Sequence, residues 1–162
     1  MEYTISYAAN IAVRAFLLNQ SRKLQNEFIF FERGNRSKYS QTWNDILVYF
    51  DYRCVYCYAH KESSLLEVEH LYPMNRTECG LQIKNNVAPC CSACNNGRDN
   101  SKIWIDKLHL KQTDISIRTE LEIKLRTHIG KYEEFRIKEN HSLQERCIQL
   151  YDSIGEKFKS LI

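Results

Sequence analysis

Proline and glycine are scarce in this chain of 162 residues, at 2 and 5, and methionine also stands at 2. So little proline and glycine excludes a collagen-like chain. With 43% hydrophobic and 27% charged residues, the composition is not that of a low-complexity or broadly disordered protein either. Long hydrophobic runs are also missing. The most apolar stretch, Tyr7 to Leu18, is interrupted by Asn10 and Arg14 and falls short of the roughly 20 residues of a membrane span. No basic lead-in opens the chain, so the expectation is a cytoplasmic protein without a signal peptide. Its length suits one compact unit at about 150 residues per domain.

An excess of charge is lacking too. The net charge is +3, and it comes from the first forty residues, where six Lys/Arg meet three Asp/Glu; residues 41–110 carry seven against eight and 111–162 ten against nine. Arg33, Arg36 and Lys38 lie close together among Gly, Asn and Ser. That spacing predicts a loop that touches phosphate, with a merely solvated loop as the plain alternative.

Cysteine, in contrast, is abundant and clustered. Six of seven fall between Cys54 and Cys94, and four form two Cys-x-x-Cys pairs, Cys54/Cys57 and Cys91/Cys94. An odd count in one cluster, without a secretion signal, favours metal over disulfides. Two turns of this kind complete a tetrahedral structural zinc site. Cys90 rivals Cys91, but only Cys91 keeps the two-residue spacing to Cys94. Cys79 and Cys147 are expected to be unligated thiols.

The hydrophobic pattern predicts a helix from about Ile11, carried on by Leu24, Phe28 and Phe31 until Gly34 and Asn35 break it. Thr42 and Asp45 suggest an N-cap opening a short helix to Phe50. Residues 53–58 and 65–71 are β-prone, residues 72–84 are loop, and 101–110 are helical. Two further helices are expected around 117–137 and 143–161. The stripe Leu143, Cys147, Leu150, Ile154, Phe158 and Leu161 packs on its own domain, with a homodimer seam as the alternative. His60, His109, His128 and His141 are read as surface residues. Tyr72, beside His70, is within reach of a substrate.

Between the cysteine pairs lies Glu67-Val-Glu-His-Leu-Tyr-Pro73, followed by Asn85-Asn-Val-Ala-Pro-Cys-Cys-Ser-Ala-Cys-Asn-Asn-Gly-Arg98. The succession Cys-x-x-Cys, acidic-His-x-x-Pro, Asn-x-x-Pro, Cys-x-x-Cys-Asn-x-x-basic resembles the HNH (ββα-metal) endonucleases over Cys54 to Arg98. Both prolines of the chain, Pro73 and Pro89, fall on motif positions. The resemblance implies an α+β fold, a ββα-metal core with structural zinc (residues 41–110) flanked by N-terminal (1–40) and C-terminal (111–162) helical segments. It further implies a metal-dependent endonuclease of restriction or phage type acting on double-stranded DNA. Phosphodiester hydrolysis needs a base for the attacking water and a cation for the phosphate charge. By resemblance His70 is that base, Glu69 and Asn95 ligate Mg²⁺ or Mn²⁺, Asn86 is the middle Asn that holds the loop, and Arg98 contacts phosphate. A non-catalytic zinc module that binds nucleic acid, and an RNA-cleaving nuclease, are the alternatives.

Overall fold

The computed structural model describes residues 2–31, 41–97, 99 and 101–160. Arg33, Arg36, Lys38 and Arg98, and the break expected at Gly34 and Asn35, lie outside the described residues. The N-terminal apolar spacing becomes helix α1 (Glu2–Lys23), which buries Ala9, Val13, Leu17 and Ser21 at four-residue steps. It ends sooner than its stripe does: Leu24 opens a turn closed by the Glu27 amide on the Leu24 carbonyl (2.9 Å), and Phe28 and Phe31 are buried from outside the helix.

Helix α2 (Gln41–Tyr49) buries Trp43, Ile46 and Leu47. Thr42 falls one residue inside it rather than at the cap, and Asp45 accepts from the Gln41 amide (2.7 Å) and pairs with Lys84 (3.4 Å). Strands β1 (Leu66–His70) and β2 (Val87–Cys91) form an antiparallel pair in which His70 faces Val87 and Leu66 faces Cys91. β2 is buried along its whole length. Pro89 is tolerated there because a two-stranded ribbon has edges that need no donor, and its carbonyl takes the Val55 amide (3.0 Å). The β-prone segment 53–58 forms no named strand. It turns tightly, with a single bridge between Arg53 and His60, because two cysteines three residues apart can meet only across a turn.

Helix α3 (Trp104–Lys111) is anchored where the Trp104 amide meets the Leu71 carbonyl (2.8 Å). The two helices expected after it are one, α4 (Ile115–Lys159), 45 residues long. Asp114 caps it through the Ile117 amide (3.1 Å). Residues 138–142 are polar, but they include neither proline nor glycine, so nothing halts the helix and the polar side chains simply face out. α4 buries Leu121, Leu125, His128, Ile129, Tyr132, Arg136 and Cys147. His128 is therefore a core residue and not a surface one, since it falls on the inward face that begins at Leu121 and Leu125. The Cys147 stripe packs on α1, where Ser6 and Tyr151 hydroxyls meet at 2.9 Å and Arg146 lies over Phe16 at 4.8 Å. Phe158 and Leu161 lie outside what is described of the side chains. One buried core draws on α1, the sheet region and α4 together.

The loop joining the strands is clamped onto α4. The Arg136 guanidinium lies 3.7 Å over the Tyr72 ring and donates to the Glu78 carbonyl; the Tyr132 hydroxyl receives the Leu81 amide (2.9 Å). Gly80 makes this closure possible, because a Cβ there would sit 1.7 Å from the Tyr72 carbonyl oxygen.

Candidate functional site

Two turns bring together four cysteines that could hold a metal ion. In the first, the Tyr58 amide reaches back to the Cys54 carbonyl (2.9 Å) with Tyr58 in the left-handed region (φ 63°); in the second, the Cys94 and Asn95 amides both bond the Cys91 carbonyl (3.0 and 2.9 Å). The sulfurs of Cys54, Cys57, Cys91 and Cys94 all lie within 4.8 Å of one another. A tetrahedral zinc with Zn–S near ~2.3 Å requires sulfurs about 3.8 Å apart, and Cys57 and Cys91 stand at 3.7 Å. The donor set therefore fits zinc. Cys90, the rival, lies beside the cluster with its thiol donating to the Cys91 carbonyl (3.5 Å), and its nearness holds the Cys54 thiol below the usual range despite burial.

His70 closes β1. Its Nε2 stands 2.6 Å from Gln82 Oε1, while Gln82 Nε2 donates to the Phe31 carbonyl (3.0 Å) and the Gln82 amide donates to Ser21 Oγ (2.8 Å). A carbonyl can only accept, so the Gln82 nitrogen must face Phe31 and its oxygen must face His70. Nε2 of His70 is then the donor, and the neutral ring carries its lone pair on Nδ1.

Asn86 fixes the backbone just beyond. Its carboxamide is fully buried, accepts from the Tyr72 amide (2.8 Å), and donates to the carbonyls of Tyr72 (3.0 Å) and Leu81 (2.8 Å); its own carbonyl takes the Leu71 amide (2.9 Å). Both ends of the loop are thus pinned to one side chain directly after His70.

Glu69 and Asn95, the expected pair of ligands for Mg²⁺ or Mn²⁺, are otherwise engaged. Glu69 Oε1 accepts from Lys107 Nζ (2.7 Å) and the Tyr56 hydroxyl (3.1 Å), with Lys107 and Tyr56 wholly buried. A buried ammonium needs a counter-charge, and Glu69 supplies it. Asn95 Nδ2 instead donates to Glu67 Oε2 (2.7 Å). These bonds use Oε1 of Glu69 and Nδ2 of Asn95, and both residues line the cleft that His70 faces. Tyr72 is likewise committed: its hydroxyl donates to Glu133 (2.7 Å), and burial followed by that carboxylate pushes it up to about 12.

Gln82, Lys107 and Tyr56 were not among the residues singled out by motif. Gln82 and Lys107 lie far in sequence from their partners, with no spacing rule to mark them, although a lysine on the apolar edge of the 101–110 helix was a legible hint. His70 and Asn95 open onto a cleft of about 890 Å³ whose other wall is α1. Comparison with protein-family models, with curated proteins and with solved structures finds no match to this chain.

Proposed function

We propose that the chain is a DNA endonuclease of the HNH (ββα-metal) kind, with His70 as the base that deprotonates the attacking water. The observation that carries this reading is the pair of buried carboxamides around His70. Gln82 sets its tautomer and Asn86 pins the chain on its far side, which a merely structural histidine on a strand would not require. The Nδ1 lone pair takes a proton from water, the hydroxide adds to phosphorus, and the bond to the leaving sugar oxygen breaks. The imidazolium so formed keeps its Nε2–H on Gln82 Oε1, whose partial negative charge stabilises it. Zinc on the four cysteines would hold the turn that carries Asn95 against the strands. Mg²⁺ or Mn²⁺, which the resemblance implies, would absorb charge on the phosphate, with Glu69 and Asn95 as the residues that would hold it, and it enters as a variable of the assay.

A second reading is a zinc module that binds nucleic acid without cutting it, and the Glu69–Lys107 ion pair favours it. Incubating the purified chain with supercoiled plasmid in Mg²⁺, in Mn²⁺ and in EDTA separates the two. Cleavage that falls by roughly 10²- to 10⁴-fold in His70→Ala, with DNA binding kept, supports the nuclease. Undiminished cutting by His70→Ala overturns the role of His70, and zinc-loaded wild type that cuts nothing leaves the binding module. Parallel RNA substrates test the choice of nucleic acid.

A further inference from the structure

We infer that the exposed face of α1 opposite His70 is the second wall of the substrate cleft, that Arg14 grips a phosphate there, and that the strand it holds is single and unpaired. This deepens the nuclease reading and rests on it. Tyr7, Ile11, Arg14 and Leu18 recur at steps of three and four, so they share one face of α1. That face lies across the cleft from His70, Met74 and Asn95, while Ala9, Val13 and Leu17 occupy the helix's buried side.

Of this stripe, Leu18 packs partly against the core, whereas Tyr7 and Ile11 do not. Tyr7 is 62% and Ile11 50% exposed, although a face turned to water is ordinarily polar. Arg14 is exposed and makes no hydrogen bond, ion pair or ring contact with any described residue. The carboxylate of the lining, Glu69, is already balanced by Lys107. The cleft therefore presents a guanidinium that no described carboxylate pairs, on the wall facing the proposed base, with Tyr7, Ile11 and Met74 as its apolar surface.

An anionic backbone carrying flat apolar groups meets that description. In a duplex the bases are stacked inside, and Tyr7, Ile11 and Met74 would face only phosphate and sugar. In an unpaired strand the bases are free to stack on Tyr7 and lie along Ile11 and Met74, while Arg14 neutralises a phosphate. Size points the same way: about 890 Å³ is within the roughly 300–1,000 Å³ of clefts for small ligands. A closed duplex offers its phosphates but keeps its bases in the stack, so it would have to open locally to place a base on Tyr7.

The test uses the full chain with one labelled DNA oligonucleotide presented as single strand, as perfect duplex and as duplex with an unpaired loop. Binding is followed by fluorescence anisotropy without added Mg²⁺ or Mn²⁺, and cleavage is followed with each ion. The expected result is at least tenfold tighter binding of the single strand, and of the loop, than of the perfect duplex. Arg14→Ala should lower single-strand affinity and flatten the slope of log affinity against log salt by about 0.7. Tyr7→Ala should cost roughly tenfold with little change of slope. Both side chains are exposed, so unchanged far-ultraviolet dichroism and zinc content verify the fold. Equal affinity for duplex and single strand, or an Arg14→Ala variant with wild-type affinity and slope, overturns the inference. Tight single-strand binding without cleavage in either ion would instead overturn the nuclease reading and leave the ligand of the cleft standing.

Discussion

Nε2 of His70 is 2.6 Å from Oε1 of Gln82, and the Gln82 amide cannot turn over because its nitrogen is held by the Phe31 carbonyl. The tautomer of His70 is therefore set by a residue on the far side of the loop. This contact links the sheet, the loop and the segment after α1 at one point. Asn86, at the other end of the loop, holds the backbone rather than the ring.

Gln82 is expected to act as a positioning residue. Gln82→Leu keeps the volume but loses the acceptor, and should lower kcat by roughly tenfold to a hundredfold with little change in KM, as happens when a functional histidine loses its orienting partner. Gln82→Glu places a carboxylate beside the ring, which favours the imidazolium. A protonated ring cannot act as base, so the acidic limb of the pH–rate profile should move to higher pH. A purely structural Gln82 would lower stability in both variants without moving that limb; thermal unfolding measured alongside separates these cases.

The pair Lys107–Glu69 is expected to serve the fold. Lys107→Met leaves a carboxylate buried without its partner and should cost about 3–5 kcal/mol, whereas adding Glu69→Gln should recover most of the loss. Denaturant unfolding of the three variants checks this. Were Glu69 instead a ligand for the divalent ion, Glu69→Gln would unfold like wild type and lose cleavage in a way that added Mn²⁺ restores.

Zinc is expected at about one ion per chain. Cys57→Ser or Cys94→Ser removes a ligand from a centre worth on the order of 10 kcal/mol of folding energy, and should give insoluble or zinc-free protein. Cys79→Ser and Cys147→Ser should retain zinc, since both lie outside the cluster. Elemental analysis of dialysed protein decides; soluble, zinc-free and fully folded Cys94→Ser protein would contradict the assignment.

The readable parts of this molecule are those whose chemistry is local in sequence. A Cys-x-x-Cys turn needs only its own few residues, so Cys54, Cys57, Cys91 and Cys94 declare themselves by spacing. The alternation of Leu66 and Val68 with Glu67 and Glu69 marks the strand in the same way but not its faces, since Glu69 is buried against Lys107 while Val68 is only half-buried. What escaped depends on tertiary partners. The ion pair of Glu69 with Lys107 spans 38 positions and the His70–Gln82 contact 12, and neither distance leaves a periodic trace. His128 looked like a surface residue because a single polar residue says little until its helix face is known. The join of the last two helices was misread for a related reason: a polar run resembles a linker unless the absence of a breaker is given weight.

His128 provides the pH-dependent test. It is buried against Tyr49 and Phe50, its Nε2 donates to the Val87 carbonyl (2.9 Å), and burial holds its pKa below the ordinary 6.5, with Lys84 pushing the same way. An unfolded chain therefore takes up a proton near pH 6.5 that the folded chain refuses until lower pH. Below about 6.5 the unfolded state binds more protons, so stability falls as pH falls; above that value the contribution is fully present and flat. The slope from one such group is at most about 1.4 kcal/mol per pH unit. Protonation of the zinc thiolates acts in the same direction, so the reading must come from a difference. His128→Gln should show a shallower decline of Tm between neutral pH and pH 5 than wild type, with zinc content followed in both. Parallel declines in the two proteins would remove His128 from the acid response and assign it to the metal centre.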